Sequence, residues 1–276
     1  MAPREQVEVD RTRGRVFGEV AELYDATRPG YPQPLVREVL AYAALGGRAA
    51  LEVGAGTGKA TVPFAAAGTP LVCIEPDERM ADVLRRNTAS YPQVRVEIAP
   101  FEDWRPSGSR SFGLLLAATS WHWIDPERRW DLVHGALAPG GAVALFWTLQ
   151  GVRDAEVHAA LAEVDRRHGM ANAPHGEPAS SFGDVPGNWG AVPGSWPDAE
   201  CRRDGRFTDL RAHRFREERH WDTDRYVGHL ASLSRYRVLP AEQRERLLAE
   251  TARVLDAHGG GIAVDHLGDL FLARTR

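Results

Sequence analysis

Leu51-Glu52-Val53-Gly54-Ala55-Gly56-Thr57-Gly58-Lys59 decides how the chain is read. The apolar run Ala49–Val53 has the length and composition of a buried strand, and Thr57–Ala67 has helical periodicity. Three glycines at alternate positions join the two. Glycine lets backbone turn tightly and approach a ligand closely. In a doubly wound sheet, the crevice at the carboxyl end of such a strand is where ligands bind. A dinucleotide fingerprint, Gly-x-Gly-x-x-Gly, needs a third glycine at position 59, where this chain has Lys59. The acid Glu75 follows Gly56 by 19 residues, at the end of the next apolar run. That is the place from which a carboxylate accepts hydrogen bonds from ribose hydroxyls.

Working outward, short apolar runs alternate with helical patterns. Strands are expected at 71–75, 94–99, 112–118 and 142–148, and helices at 35–45, 77–89 (capped by Asp77) and 126–137. Pro139-Gly140-Gly141 is expected to turn the chain into the strand at 142–148. Alternation of this kind implies a parallel sheet covered on both faces, with right-handed crossovers. The expected fold is α/β, a Rossmann-like doubly wound sheet of seven mostly parallel strands with a C-terminal lid insertion. One domain spans 1–276. It divides into an N-terminal covering helix (1–34), a core (35–150), a lid insertion (151–205) and a C-terminal completion (206–276). In that last part a strand is expected at 210–217 and helices at 224–236 and 240–258. Ile262–Val264 and Leu270–Ala273 should end the chain as an edge hairpin or bent strand. The Gly-, Pro- and Trp-rich stretch 170–201 is too long for a plain connection.

Composition narrows the function. Hydrophobic residues are 43% of 276, and the formal net charge is -4, so the basic footprint of a nucleic-acid or anionic-membrane binder is lacking. Cys73 and Cys201 have no metal-type spacing, and no metal site is expected. No signal peptide or membrane span is apparent, and a cytoplasmic setting is expected.

Glu52–Gly58, Ile74-Glu75-Pro76, Phe101-Glu102-Asp103, Ala118–Asp125 (Ala-Thr-Ser-Trp-His-Trp-Ile-Asp) and Leu137–Gly141 resemble, in order, the motifs of class I S-adenosylmethionine-dependent methyltransferases. Tyr24–Pro32 is similar to the start of their type 11 small-molecule branch, which includes trans-aconitate methyltransferase-like proteins. The resemblance implies S-adenosylmethionine as cofactor. It puts Gly54, Gly56 and Glu52 at the methionyl part and Glu75 at the ribose. Pro76, Met80, Phe101 and Glu102 fall at the adenine, and Ala118 and Thr119 near the methionyl end. Tyr24 and Arg28 would cover the site, Arg28 facing the cofactor carboxylate. One departure is Ala99-Pro100, where many relatives have Gly-Asp.

Methyl transfer from a sulfonium is an in-line displacement that needs alignment, exclusion of water and, for some acceptors, a base. His122 is the candidate base, since histidine accepts a proton near neutral pH. Its other reading is a structural corner with Trp121 and Trp123. Those two tryptophans, together with His229, Ser232 and Tyr236 on one expected helix face, are the candidate acceptor contacts. The acceptor expected is a small molecule, aromatic or polyketide-like. The competing readings are a nicotinamide-dependent oxidoreductase and a non-catalytic cofactor-binding protein.

Overall fold

The structure is a computed structural model that describes residues 17–105, 111–170 and 197–276. Of the stretch expected to form a lid, residues 171–196, with Trp189 and Trp196, lie outside them. Five strands, β1 (Ala50–Val53), β2 (Leu71–Ile74), β3 (Val94–Glu97), β4 (Phe112–Ala118) and β5 (Leu137–Val152), run parallel. Two long strands, β6 (Phe207–Asp222) and β7 (Gly261–Thr275), complete a seven-stranded sheet in the order β3-β2-β1-β4-β5-β7-β6. The order reverses between β1 and β4, which makes their carboxyl ends the switch-point crevice.

On one face lie α1 (Ala21–Thr27), α2 (Gln33–Ala43), α3 (Thr61–Ala66) and α4 (Glu78–Asn87); the other face carries α5 (Arg129–Ala136) and α7 (Asp198–Asp204). Two apolar clusters, one on each face, hold these layers together. Phe64, Leu114, Phe146 and Leu272 belong to the first, and Leu51, Leu115, Trp121 and Phe271 to the second. Each such side chain contributes ~1.5–3 kcal/mol when fully buried. A third cluster joins α6 (Ala155–Arg167), α8 (Thr223–Ala231), α9 (Ser234–Arg237) and α10 (Ala241–Ala257) beyond the end of the sheet.

Several expected elements form at their expected places, and Asp77 caps α4 by accepting from the Arg79 and Met80 amides. The differences have local causes. Helix α3 starts four residues late, because Gly54, Gly56 and Gly58 take left-handed φ of 67°, 58° and 95°, outside the helical region. The Pro139–Gly141 turn lies inside β5, as an irregularity where pairing shifts between Phe112 and Leu114. The helix expected at 224–236 breaks into α8 and α9. Ser232 Oγ donates to the His229 carbonyl at 2.7 Å, and Leu233 turns extended.

The chain does not end at an edge. β7 is one continuous strand between β5 and β6, and β6 forms the edge. Polar residues that interrupt its apolar pattern are satisfied by neighbours. Asp269 binds Arg214 of β6 at 2.6 Å, and Asp265 binds Arg216 at 3.1 Å.

Candidate functional site

The glycine loop after β1 is shaped by what it touches. A Cβ at Gly54 would lie 2.6 Å from Ser120 Cβ, and one at Gly58 would lie 2.8 Å from Leu84 Cδ1. Ser120 Oγ donates to the Val53 carbonyl, so the loop after β4 is tied to the end of β1. Glu75 is buried at the end of β2, and its carboxylate accepts from the Gly56 amide at 2.7 Å and the Asp77 amide at 3.0 Å. Burial, opposed by those two amides, pushes its carboxyl up to about 7. Each carboxylate oxygen has a second lone pair for a ligand hydroxyl.

Glu52 sits below the loop. Fully buried, it accepts from Thr61 Oγ1 of α3 at 2.7 Å and lies 3.8 Å from Cys73 Sγ. Its Oε1 has no partner, and burial pushes the carboxyl up to about 8. One carboxylate oxygen therefore ties α3 to the sheet, and the other is left without a partner.

Phe17 and Tyr24 of the N-terminal segment pack with Ala21 on Met80 and Val83 of α4. Phe17 also meets Trp123, ring centroids 6.2 Å apart, so this segment reaches from α4 to the 121–123 corner. Lys59, which excluded the dinucleotide fingerprint, has a second role that sequence alone does not reveal. Its Nζ lies 3.0 Å from Asp25 Oδ1 and anchors α1 to the loop. Arg28 stacks on the Tyr24 ring at 5.0 Å and turns toward the C-terminal half, with Nε 2.9 Å from Ser232 Oγ.

Phe101 is buried, and Glu102 Oε1 accepts the Asp125 amide at 2.8 Å, which ties the segment after β3 to the corner after β4. Pro76 is exposed beside Glu75, and Ala118 ends β4. Thr119 follows with a left-handed φ of 59°, its Oγ1 2.9 Å from Tyr31 Oη.

The Trp121-His122-Trp123 corner is a short 3-10 turn. Trp121 is wholly buried, 4.9 Å from Trp130, whereas Trp123 is only partly buried. Burial and the Arg129 charge push His122 down to about 4, so the imidazole is neutral at ordinary pH. Arg129 lies 5.0 Å over Trp121 and pairs with Glu200 of α7, which also accepts from Trp130 Nε1 at 3.1 Å.

His229, Ser232 and Tyr236 are all buried, but on two helices and the break between them. His266 of β7 is a further buried histidine, which the sequence reading passed over. It is fully buried, and its Nε2 donates to the Gly30 carbonyl at 3.3 Å. The one hint in the sequence was a histidine inside an apolar strand pattern. Among the described residues no cluster of His, Cys, Asp or Glu suits a metal ion, and no helix is long and apolar enough to cross a membrane.

Residues 51–145 match the family model described as a methyltransferase domain. An uncharacterised methyltransferase of Mycobacterium tuberculosis is 36% identical over 137 residues, covering 50% of this chain and 54% of the relative. The chain thus spans about half the length of the curated relatives it matches. A protein from Anaeromyxobacter dehalogenans assigned as a type II methyltransferase superposes with a TM-score of 0.60 at 26% identity, covering 90% of this chain and 97% of that one. A methyltransferase from Thiobacillus denitrificans, solved with S-adenosylhomocysteine, shares the fold at 15% identity, with a TM-score of 0.50 and coverage of 95% and 98%. Residues 51–145 thus match a methyltransferase domain, and the glycine loop, the acid after β2 and the strand order of the core accord with that match.

Proposed function

We propose that the chain transfers a methyl group from S-adenosylmethionine to a small-molecule acceptor. One observation carries the reading: the glycine loop, Glu75 and the 121–123 corner meet at the switch point, under a roof formed by Phe17 and Tyr24. The cofactor fits what is there. Three left-handed glycines keep the loop free of Cβ atoms, and the Glu75 carboxylate is pre-set by two backbone amides. Gly54 and Gly56 would border the methionyl part, with Ala118 and Thr119 beside it. Glu75 would hold the ribose, and Pro76, Met80, Phe101 and Glu102 would frame the adenine. Glu52 acts from beneath, by fixing the start of α3.

When bound, the cofactor supplies the electrophilic methyl carbon. The protein's share is to orient the acceptor and exclude water. His122, neutral and at the corner after β4, is the candidate base, a weak one because burial and Arg129 disfavour its charged form, which suits an acceptor that already loses its proton readily. Trp123 and Phe17 offer an aromatic wall, which favours an acceptor with a flat apolar part. The two buried free cysteines suit a reducing, cytoplasmic setting.

Calorimetry with S-adenosylhomocysteine, run beside reduced nicotinamide dinucleotide, tests the cofactor. Binding of the first and not the second is expected, and the reverse would overturn the proposal. Transfer of tritium from methyl-labelled cofactor to a panel of aromatic acids, phenols and amines then tests the reaction.

A further inference from the structure

Thr119, the first residue beyond β4, holds a left-handed φ of 59°. A β-branched residue rarely adopts that conformation, because its Cβ crowds the following carbonyl. It persists only where surrounding contacts enforce it. Three contacts do so here. The Thr119 amide donates to the Phe146 carbonyl of β5 at 2.8 Å. Thr119 Oγ1 lies 2.9 Å from Tyr31 Oη. The next residue, Ser120, donates through its hydroxyl to the Val53 carbonyl of β1. The Tyr31 ring in turn stands edge-on to the Phe146 ring, with centroids 4.8 Å apart. Tyr31, Thr119 and Phe146 thus close a triangle that joins β4, β5 and the segment before α2.

Tyr31 is itself held on both sides. Its place before Pro32 restricts its backbone to extended shapes. The Gly30 carbonyl accepts from His266 Nε2 of β7 at 3.3 Å. Pro32 packs against β7 at Gly268, where an added Cβ would come 3.4 Å from Pro32 Cδ. Burial pushes the Tyr31 phenol up, so it keeps its proton across the ordinary pH range and serves as a tether, not a base. The far side of the triangle has no slack either. A Cβ at Gly54 would lie 2.6 Å from Ser120 Cβ, so any shift of 119–120 is felt by the glycine loop.

We propose that Tyr31 is a positioning residue for the cofactor: through Thr119 it holds the end of β4 in the left-handed conformation that borders the methionyl part. Without the tether, the Thr119 backbone is released toward the extended conformation that a branched side chain favours. The crevice beside Gly54 then loses its preset shape, and binding has to supply the ordering. A residue 88 positions away in the chain thereby sets one wall of the site. The proposal rests on the methyl-transfer reading for naming the occupant. The strain and its tether stand without it.

The test is calorimetry of S-adenosylhomocysteine on full-chain variants, with urea unfolding of each alongside. Tyr31→Phe should weaken binding roughly 2- to 12-fold, the size of one hydrogen bond. Thr119→Ser keeps the hydroxyl and should restore binding to within about twofold of the wild type. Thr119→Ala loses the tether and keeps the strain, whereas Thr119→Gly loses both. Thr119→Gly should therefore bind several-fold tighter than Thr119→Ala and unfold at higher urea. In the Thr119→Gly background, Tyr31→Phe should change affinity by less than about twofold, because nothing is left to hold. The same loss in both backgrounds would overturn the proposal, since Tyr31 would then touch the ligand itself. So would a Thr119→Ala variant that binds as tightly as Thr119→Gly, or a Tyr31→Phe variant that loses stability alone. If the wild type does not bind S-adenosylhomocysteine at all, the methyl-transfer reading fails separately, and the urea comparisons still judge the tether. Should Tyr31→Phe not fold, the three replacements of Thr119 carry the comparison.

Discussion

Replacing Glu200 by glutamine isolates the contact that fastens the C-terminal half to the 121–123 corner. Arg129 and Glu200 have side chains only 4% and 11% exposed. The carboxylate accepts from Arg129 Nε and from Trp130 Nε1, both at 3.1 Å, while Arg129 Nη1 reaches the Trp121 carbonyl at 3.4 Å. Glutamine keeps the shape but removes the negative charge from a guanidinium that stays buried. Removing one partner of a buried pair costs ~3–5 kcal/mol. Each kcal/mol lowers the midpoint of a domain of this size by ~2–4 °C, so the melt should fall by on the order of 10 °C. Urea unfolding at pH 7, read by tryptophan fluorescence, gives the free energy directly. The double replacement Arg129→Met with Glu200→Leu should restore most of the loss, because well-packed apolar groups often match a buried ion pair. A double-mutant cycle then reports the coupling. Losses under ~1 kcal/mol for Glu200→Gln would mean that the pair is effectively solvated, and the reasoning from burial would fail.

Gly54→Ala places a Cβ 2.6 Å from Ser120 at a left-handed position, so S-adenosylhomocysteine affinity should drop roughly 5- to 150-fold, for strain of ~1–3 kcal/mol; unchanged calorimetry would show that the loop can shift. Glu75→Gln should weaken the same ligand by ~1.5–3 kcal/mol for each charge-assisted bond lost, and an unaltered isotherm would remove Glu75 from the ribose site. If His122 is the base, His122→Ala should lower kcat by ~10²–10⁴-fold with cofactor affinity intact, whereas a change confined to KM would make it a wall residue. Glu52 concerns stability and pH: its carboxyl is pushed from 4.5 up to about 8 in the folded protein. The native state therefore keeps its proton longer than the unfolded chain does, so stability should fall as pH rises from about 4.5 to about 8. Glu52→Gln should flatten that slope in the ligand-free protein, and equal slopes in denaturant titrations of the two proteins would contradict it.

The cofactor half was the legible half. Its strands are short, apolar and bounded by glycine or proline, and its loop chemistry lies within a few residues of sequence, so spacing alone located Gly54, Gly56, Glu75 and the Asp77 cap. The direction in which Glu52 faces was not legible, because strand pleat and the approach of Thr61 and Cys73 decide it. The same holds for the tryptophans: sequence marks Trp121 and Trp123 alike, and packing against Trp130 buries one of them while the other meets Phe17.

By itself, then, the amino-acid sequence determined the fold class, the glycine loop and the acid that faces it, because local backbone preference and hydrophobic period act over a few residues. Tertiary structure alone decided that β7 runs between β5 and β6, that Ser232 breaks the C-terminal helix, and that Arg28 meets Ser232 while Gly30 meets His266. Each of those last two contacts joins residues more than 200 positions apart. Long-range strand pairing and the packing of α1 on α8 bring such groups together, and no period in the sequence records either.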